Sequence, residues 1–302
     1  MLLKRREFLK TGIGAVLASS LPVFAAAPSR KHTVGHSGIT WGYAPQNVPQ
    51  AIAAVGSLGF HGFESFGSVL EFWDSRGGLA QDLAKAKLPL TAAYCPLVLT
   101  NAGQRKDEIS KLLRWGQLIK QYGGKIAVIG PDNVDRHSFD FSKQRSTIVD
   151  SLNAMGEALH DIGITAALHQ HTGSCIMTKD EIYAVMDRVN SSYIKFCPDT
   201  GELQSAGMDP VQVVKDFLPV IAHVHLKDFD GGKKHDGYCP VGKGRVDMQG
   251  VIEALEKSRQ DFMLMVELNP AQSQDGSVEG VTELAMASKR KLAALGYTFL
   301  NR

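Results

Sequence analysis

Residues Thr165–Glu202 read TAALHQHTGSCIMTKDEIYAVMDRVNSSYIKFCPDTGE, and this stretch sets the architecture. An apolar run, Thr165–Gln170, precedes Thr178-Lys179-Asp180-Glu181, a helical pattern, and a second apolar run, Ile194–Asp199. Thr178 and Glu181 have the spacing of a capping box, in which hydroxyl and carboxylate reciprocally satisfy backbone donors. A short buried strand, a capped helix and another short strand predict a parallel β-α-β unit.

The alternation continues outward in both directions. Upstream, the pattern predicts strands at His36–Trp41, Gly62–Phe66, Leu90–Cys95 and Lys125–Gly130; downstream, at Ala222–Lys227 and Met263–Leu268. Helical spacing links Ile109, Leu112, Leu113, Leu118 and Ile119 within Asp107–Tyr122, and Ile148, Leu152, Met155 and Leu159 within Ser146–Asp161. Gly163 is a C-terminal stop for the second of these helices. Eight such units in residues 28–302 predict a single α/β domain, a closed (β/α)8 TIM barrel, a fold that takes about 250 residues. No G-x-G-x-x-G loop follows any strand, which argues against an open doubly wound sheet. No internal repeat or linker divides the chain.

Composition agrees with a globular protein: 302 residues, 44% hydrophobic and 21% charged, with 30 Gly and 12 Pro. A net charge of +2, with no basic run beyond the N-terminus, gives no footprint for a nucleic-acid partner. Residues 1–27 stand apart. Lys4-Arg5-Arg6-Glu7-Phe8-Leu9-Lys10 is a basic segment with an arginine pair, followed by an apolar stretch from Thr11 to Phe24 and by Ala25-Ala26-Ala27. The apolar stretch is short of the roughly 20 residues of a membrane span. Cys95, Cys175, Cys197 and Cys239 are far apart with no CxxC pair; buried free thiols are favoured over two disulfides.

Barrel enzymes carry their chemistry where strands end. Here four consecutive strands end in polar residues: Leu168-His169-Gln170-His171, Cys197-Pro198-Asp199-Thr200-Gly201-Glu202, His223-Val224-His225-Leu226-Lys227-Asp228, and Met265-Val266-Glu267-Leu268-Asn269. Any one of them has an ordinary structural explanation as a cap or a satisfied polar group. The set does not, because charges facing one another across a low-dielectric cavity are costly without a compensating cation. Imidazoles with carboxylates suit a divalent transition metal better than calcium.

These endings, H-x-H-T-G, D-T-G, H-x-H-x-K-D and V-E, resemble the xylose isomerase-like barrels, a group of inosose dehydratases, hydroxypyruvate isomerases and ketose epimerases. Gly38-Ile39-Thr40-Trp41-Gly42 and Gly59-Phe60-His61-Gly62-Phe63-Glu64 resemble the group's first two strands, and residues 4–10 resemble a twin-arginine export signal with Lys4 at a position where Ser or Thr is usual. The resemblance implies a metal held by His169, Asp199, His225 and Glu267: Mn2+ first, with Mg2+, Co2+, Fe2+ or Zn2+ as alternatives. It implies a small carbohydrate or cyclitol substrate, proton abstraction beside its carbonyl, and a metal-stabilised enediolate. Candidate catalytic residues are Glu267 as ligand and base, Glu202 and His171 as acid/base groups, Lys227 on a substrate oxygen, and Glu64. His223 and Asp228 are candidates for orienting His225, and Lys243 or Arg245 for an anionic substrate. Two departures stand out: His169 replaces the glutamate of the epimerases, and Glu202 follows Asp-Thr-Gly where many relatives carry His. Isomerisation or epimerisation is the first expectation, and elimination by a dehydratase or lyase the alternative. A nuclease of endonuclease IV type and a non-catalytic sugar-binding barrel rank below both. Export would place the enzyme in the periplasm or outside the cell, delivered by the twin-arginine machinery and free of the membrane once cleaved. The group also admits a homo-oligomer.

Overall fold

The computed structural model describes residues 30–270 and 278–301. The expected signal, residues 1–27, lies outside the described residues. Eight parallel strands alternate with helices: β1 (Thr33–Ser37), β2 (Phe63–Phe66), β3 (Leu90–Leu97), β4 (Ile126–Pro131), β5 (Thr165–Leu168), β6 (Ile194–Phe196), β7 (Val224–Leu226) and β8 (Met263–Val266). The hydrogen-bonded order runs β6-β5-β4-β3-β2-β1-β8-β7. Closure between β6 and β7 rests on the single bridges Phe196↔Ile221 and Asp199↔His225, with His225 N donating to Pro198 O at 3.0 Å. The barrel is therefore weakest at the seam that carries the polar rim. Among the described residues no helix is long and apolar enough to cross a membrane.

All eight strands fall at the expected places, and their ends shift for local reasons. The sixth stops at Phe196 rather than Asp199 because Pro198 has no N–H to donate and Asp199 turns into the N-cap of the helix Thr200–Ser205. The first begins earlier than expected and ends at Ser37, where Gly38–Trp41 coils into a 3-10 turn. Gly38 permits that turn, since a Cβ would lie 2.5 Å from the Phe63 ring. The helices Arg105–Gln121 and Phe141–Asp161 extend the predicted ones, and the Thr178–Glu181 capping box is formed. Gly163 adopts φ 78°, a helix stop that costs other residues strain. The four cysteines are free and buried.

Side-chain alternation sorts the strands into two faces. Ala93, Ala127, Ala166, Val224, Leu226, Leu264 and Val266 join the core beneath the helices. Ala92, Val128, Ala167 and Cys197, on four successive strands, form a separate inner cluster beside Tyr94. Residues in phase with this inner set (Glu64, His169, Asp199, His223, His225, Lys227 and Glu267) therefore face the barrel axis.

His36 shares the phase of Val34 and faces outward, its ring edge-on to Trp41 and Phe60. Its Nδ1 lies 2.9 Å from Ser37 O and its Nε2 has no partner. Burial lowers its pKa from 6.5 to about 4. The unfolded chain takes up this proton near pH 6.5 and the folded protein only near pH 4. The folded state thus holds fewer protons in that window, and stability falls as pH drops through it, by about 3 kcal/mol in total. Urea unfolding of His36→Gln should show a flatter loss of stability on acidification than the parent. An identical slope would refute the assignment.

Candidate metal centre and active site

The rim is built by the turn out of each strand. Asp199 caps the helix Thr200–Ser205 with Oδ1, which accepts from Glu202 N at 2.8 Å. Its Oδ2 is left buried and unpartnered. Gln170 fixes the same turn, donating to Asp199 O at 2.9 Å. His225 Nδ1 faces this oxygen at 3.8 Å and Glu267 Oε2 at 3.3 Å, yet makes no hydrogen bond of acceptable geometry. His169 Nδ1 is also buried without a partner. Orphaned buried polar atoms are rare and call for an explanation; here they converge.

Ligand atoms of Asp199, His225 and Glu267 lie within 4.8 Å of one another, and so do those of His169, Cys197 and His225. The four positions expected from the sequence thus come together as two groups sharing His225, with His169 nearer to Cys197. The imidazoles of His169 and His225 are 4.9 Å apart, centroid to centroid. Cys197 was legible only as a buried thiol, although it stands two residues before Asp199 and so on the same face of the strand. The donor set fits a divalent cation.

The electrostatics say the same. Glu64, Asp199, Glu202 and Glu267 are buried with one ammonium, Lys227. The carboxylates outnumber the cationic side chains beside them, Lys227 and His225, an excess of negative charge that the interior does not hold uncompensated. Burial raises the pKa of Asp199. Burial alone would lower His225, yet the Glu64 charge holds it well above its ordinary value. Burial and the cationic neighbour His225 together push His169 well below its own. A bound cation would relieve the excess negative charge and reverse this pattern.

Lys227 lies at the centre of the acid groups. Its Nζ donates to Glu267 Oε1 at 2.9 Å and Glu202 Oε1 at 3.2 Å, lies 3.8 Å from Asp199 Oδ2, and sits 4.2 Å from the Tyr238 ring centroid. Burial would lower its pKa, but the carboxylates, Glu267 foremost, hold it well above the usual lysine value. Burial would raise Glu202, but Lys227 and then His171 bring it to about 2. Gly201 makes room for this lysine, since a Cβ there would lie 2.9 Å from Lys227 Cγ. His171 Nε2 is 3.5 Å from Glu202 Oε1, and its side chain is 35% exposed, the most open of the set.

Some expectations need correction. Asp228 does not orient His225: its carboxylate accepts from the amides of Phe229, Gly242, Gly244 and Val246 and so moulds the loop that follows. That loop turns Arg245 onto Asp230 O. Glu64, read as a catalytic candidate, lies behind His225 with both oxygens taken by imidazoles. Tyr238, whose ring packs against Lys227 Nζ, was missed. It arrives on a two-stranded hairpin pairing Asp228–Phe229 with Tyr238–Cys239, which no β/α pattern announces.

Known proteins bear on this arrangement. The chain is 23% identical over 267 residues to the inosose dehydratase of Clostridium botulinum (strain Alaska E43 / Type E3), covering 80% of this chain and 87% of the relative. Its fold matches the 3-keto-D-glucoside 4-epimerase YcjR of E. coli with a TM-score of 0.65 at 17% identity, over 88% of this chain and 99% of that one. It matches the IOLI protein, solved with a bound zinc atom, with a TM-score of 0.70 at 16% identity, over 87% and 98%. A family model described as xylose isomerase-like TIM barrel spans residues 52–287, from the first barrel helix through all four polar strand ends. The closed eight-strand barrel, the inward-facing imidazoles and carboxylates and this match agree: the chain belongs to the xylose isomerase-like TIM barrel family.

Proposed function

We propose that this protein is a divalent-metal-dependent enzyme that removes a proton beside the carbonyl of a keto-sugar or keto-cyclitol and expels a β-hydroxyl as water. The observation that carries the reading is the asymmetry around Lys227: a carboxylate on one side, Glu267, and a carboxylate–imidazole pair on the other, Glu202 with His171. Asp199, His225 and Glu267, with His169, would hold the metal, which supplies Lewis-acid polarisation of the carbonyl. Imidazole and carboxylate donors suit Mn2+, Co2+ or Zn2+.

Glu267 takes the proton from carbon. Lys227, the ammonium between these carboxylates, holds the oxygen on which negative charge develops. His171, open to solvent and steadied by Glu202, protonates the departing hydroxyl, so that one water is lost for each proton taken and given. Similarity to inosose dehydratases over four-fifths of the chain supports the elimination. The second reading, isomerisation or epimerisation, draws on the two carboxylates Glu202 and Glu267 hydrogen-bonded to one ammonium, a pair able to return a proton to carbon. Export through residues 1–27 belongs to the same proposal and rests on the arginine pair and Ala25-Ala26-Ala27.

The test uses a keto-inositol and a 3-keto-glucoside in D2O with the Mn2+-loaded protein. Elimination yields an unsaturated ketone in step with substrate loss, whereas deuterium in a recovered isomer selects the second reading. Neither product nor exchange from any keto-sugar offered would sink both.

A further inference from the structure

Glu64 is a fully enclosed carboxylate of the cluster, 1% exposed, with both oxygens against imidazoles. Its Oε2 lies 2.8 Å from His223 Nε2 and 3.2 Å from His225 Nε2, and its Oε1 lies 3.0 Å from His225 Nε2. These are hydrogen-bond lengths, and a carboxylate can only accept. Both imidazoles therefore carry their proton on Nε2. The consequence falls on the opposite edge of His225: with Nε2 committed to Glu64, Nδ1 is the nitrogen whose lone pair a cation would take, and it lies 3.8 Å from Asp199 Oδ2 and 3.3 Å from Glu267 Oε2. His223, two residues earlier on the same face, holds Glu64 Oε2 from the other side.

We propose that Glu64, locked by His223, is a positioning residue that fixes which nitrogen of His225 is offered to the cation. This inference rests on the metal reading above. A carboxylate behind a ligating imidazole orients the ring, raises its basicity and tunes metal affinity by about 10–100-fold. The geometry adds a condition particular to this chain: the group at position 64 must accept at both ends. A glutamine cannot. With its oxygen in place of Oε2, its amide nitrogen meets the His225 N–H at 3.0 Å; turned over, it meets the His223 N–H at 2.8 Å. Relief in the first orientation moves the His225 proton to Nδ1 and blocks the ligating edge.

The experiment titrates Co2+ into the metal-free full-length protein, reading the dissociation constant by competition with a chromophoric chelator and the visible spectrum of the bound ion. Circular dichroism monitors folding. Glu64→Gln is expected to weaken Co2+ about 10–100-fold and to alter the spectrum. Adding His223→Leu frees the amide to turn its oxygen wholly to His225, and this double variant is expected to recover most of the affinity. A structural role alone predicts no such rescue. Unchanged affinity and spectrum in Glu64→Gln, or a loss that His223→Leu does not repair, would overturn the proposal. Two Co2+ per chain would do so as well, by putting an ion among Glu64, His223 and His225 in place of the hydrogen bonds. Should Glu64→Gln not fold, Glu64→Asp, one methylene short of His225, is expected to show the same loss, and unchanged affinity there overturns the idea. A parent protein that binds no Co2+ fails differently, since it removes the metal reading itself.

Discussion

Alanine at position 225 is expected to strip the protein of its divalent cation and to lower turnover by about 10³-fold or more, about 4 kcal/mol of transition-state stabilisation. The size of the effect follows from where His225 stands. Among the described residues it is the common member of every buried group that could hold a metal: with Asp199 and Glu267, with His169 and Cys197, and with Glu64 and His223. Its ring is also the link between Glu64 below and the rim carboxylates above. Elemental analysis of the parent, purified without chelator, should find about one divalent metal per chain, and far less in His225→Ala. Glu267→Gln, nearly isosteric, should also lose metal because an amide is a poorer donor than a carboxylate. Both variants should regain little activity when Mn2+ is supplied. If His225→Ala keeps its full metal content, the ion sits elsewhere and the site as drawn is wrong.

Lys227→Met carries the second large effect, this time on stability as well as rate. The ammonium is 1% exposed and lies against three carboxylates. Its removal takes from Asp199, Glu202 and Glu267 the one ammonium that lies against all three. Breaking a buried pair by removing one partner costs about 3–5 kcal/mol, because the surviving charge is left uncompensated. The metal-free variant should therefore unfold at markedly lower urea than the metal-free parent. The deficit should shrink as the carboxylates are neutralised at low pH, since the lysine stabilises them only while they are charged. It should also shrink with metal bound. Arginine is not expected to rescue, because the stem of residue 227 is so closely packed that even a Cβ at Gly201 would lie 2.9 Å from it. A Lys227→Met protein as stable as the parent at neutral pH would mean that protons, not this ammonium, balance the carboxylates.

The match between sequence and fold is uneven in an instructive way. Alternation of short apolar runs with 3.6-residue periodicity located all eight strands, and the Thr178–Glu181 and Gly163 signals marked helix ends that the structure reproduces. These are local properties, decided by hydrogen bonding and side-chain spacing within a few residues. Strand ends were less legible, because Pro198 and the Asp199 cap shorten β6 through backbone geometry that apolarity does not report.

The sequence by itself determined that His169, Asp199, His225 and Glu267 share one rim, since period-2 alternation and strand order follow from the chain alone. It also singled out Glu64, Glu202, His223 and Lys227 beside them, without their partners, and passed over Tyr238. Only the tertiary structure decided that Glu64, 161 positions from His225, stands behind it, that Lys227 lies among three carboxylates, that the Tyr238 ring packs against Lys227, and that Asp228 spends its carboxylate on four loop amides. Each is a long-range contact set by barrel closure and by the hairpin after β7. Which of several buried acids meets which base is settled by the cost of leaving any of them unpaired in the interior, and that cost exists only once the chain has closed around them.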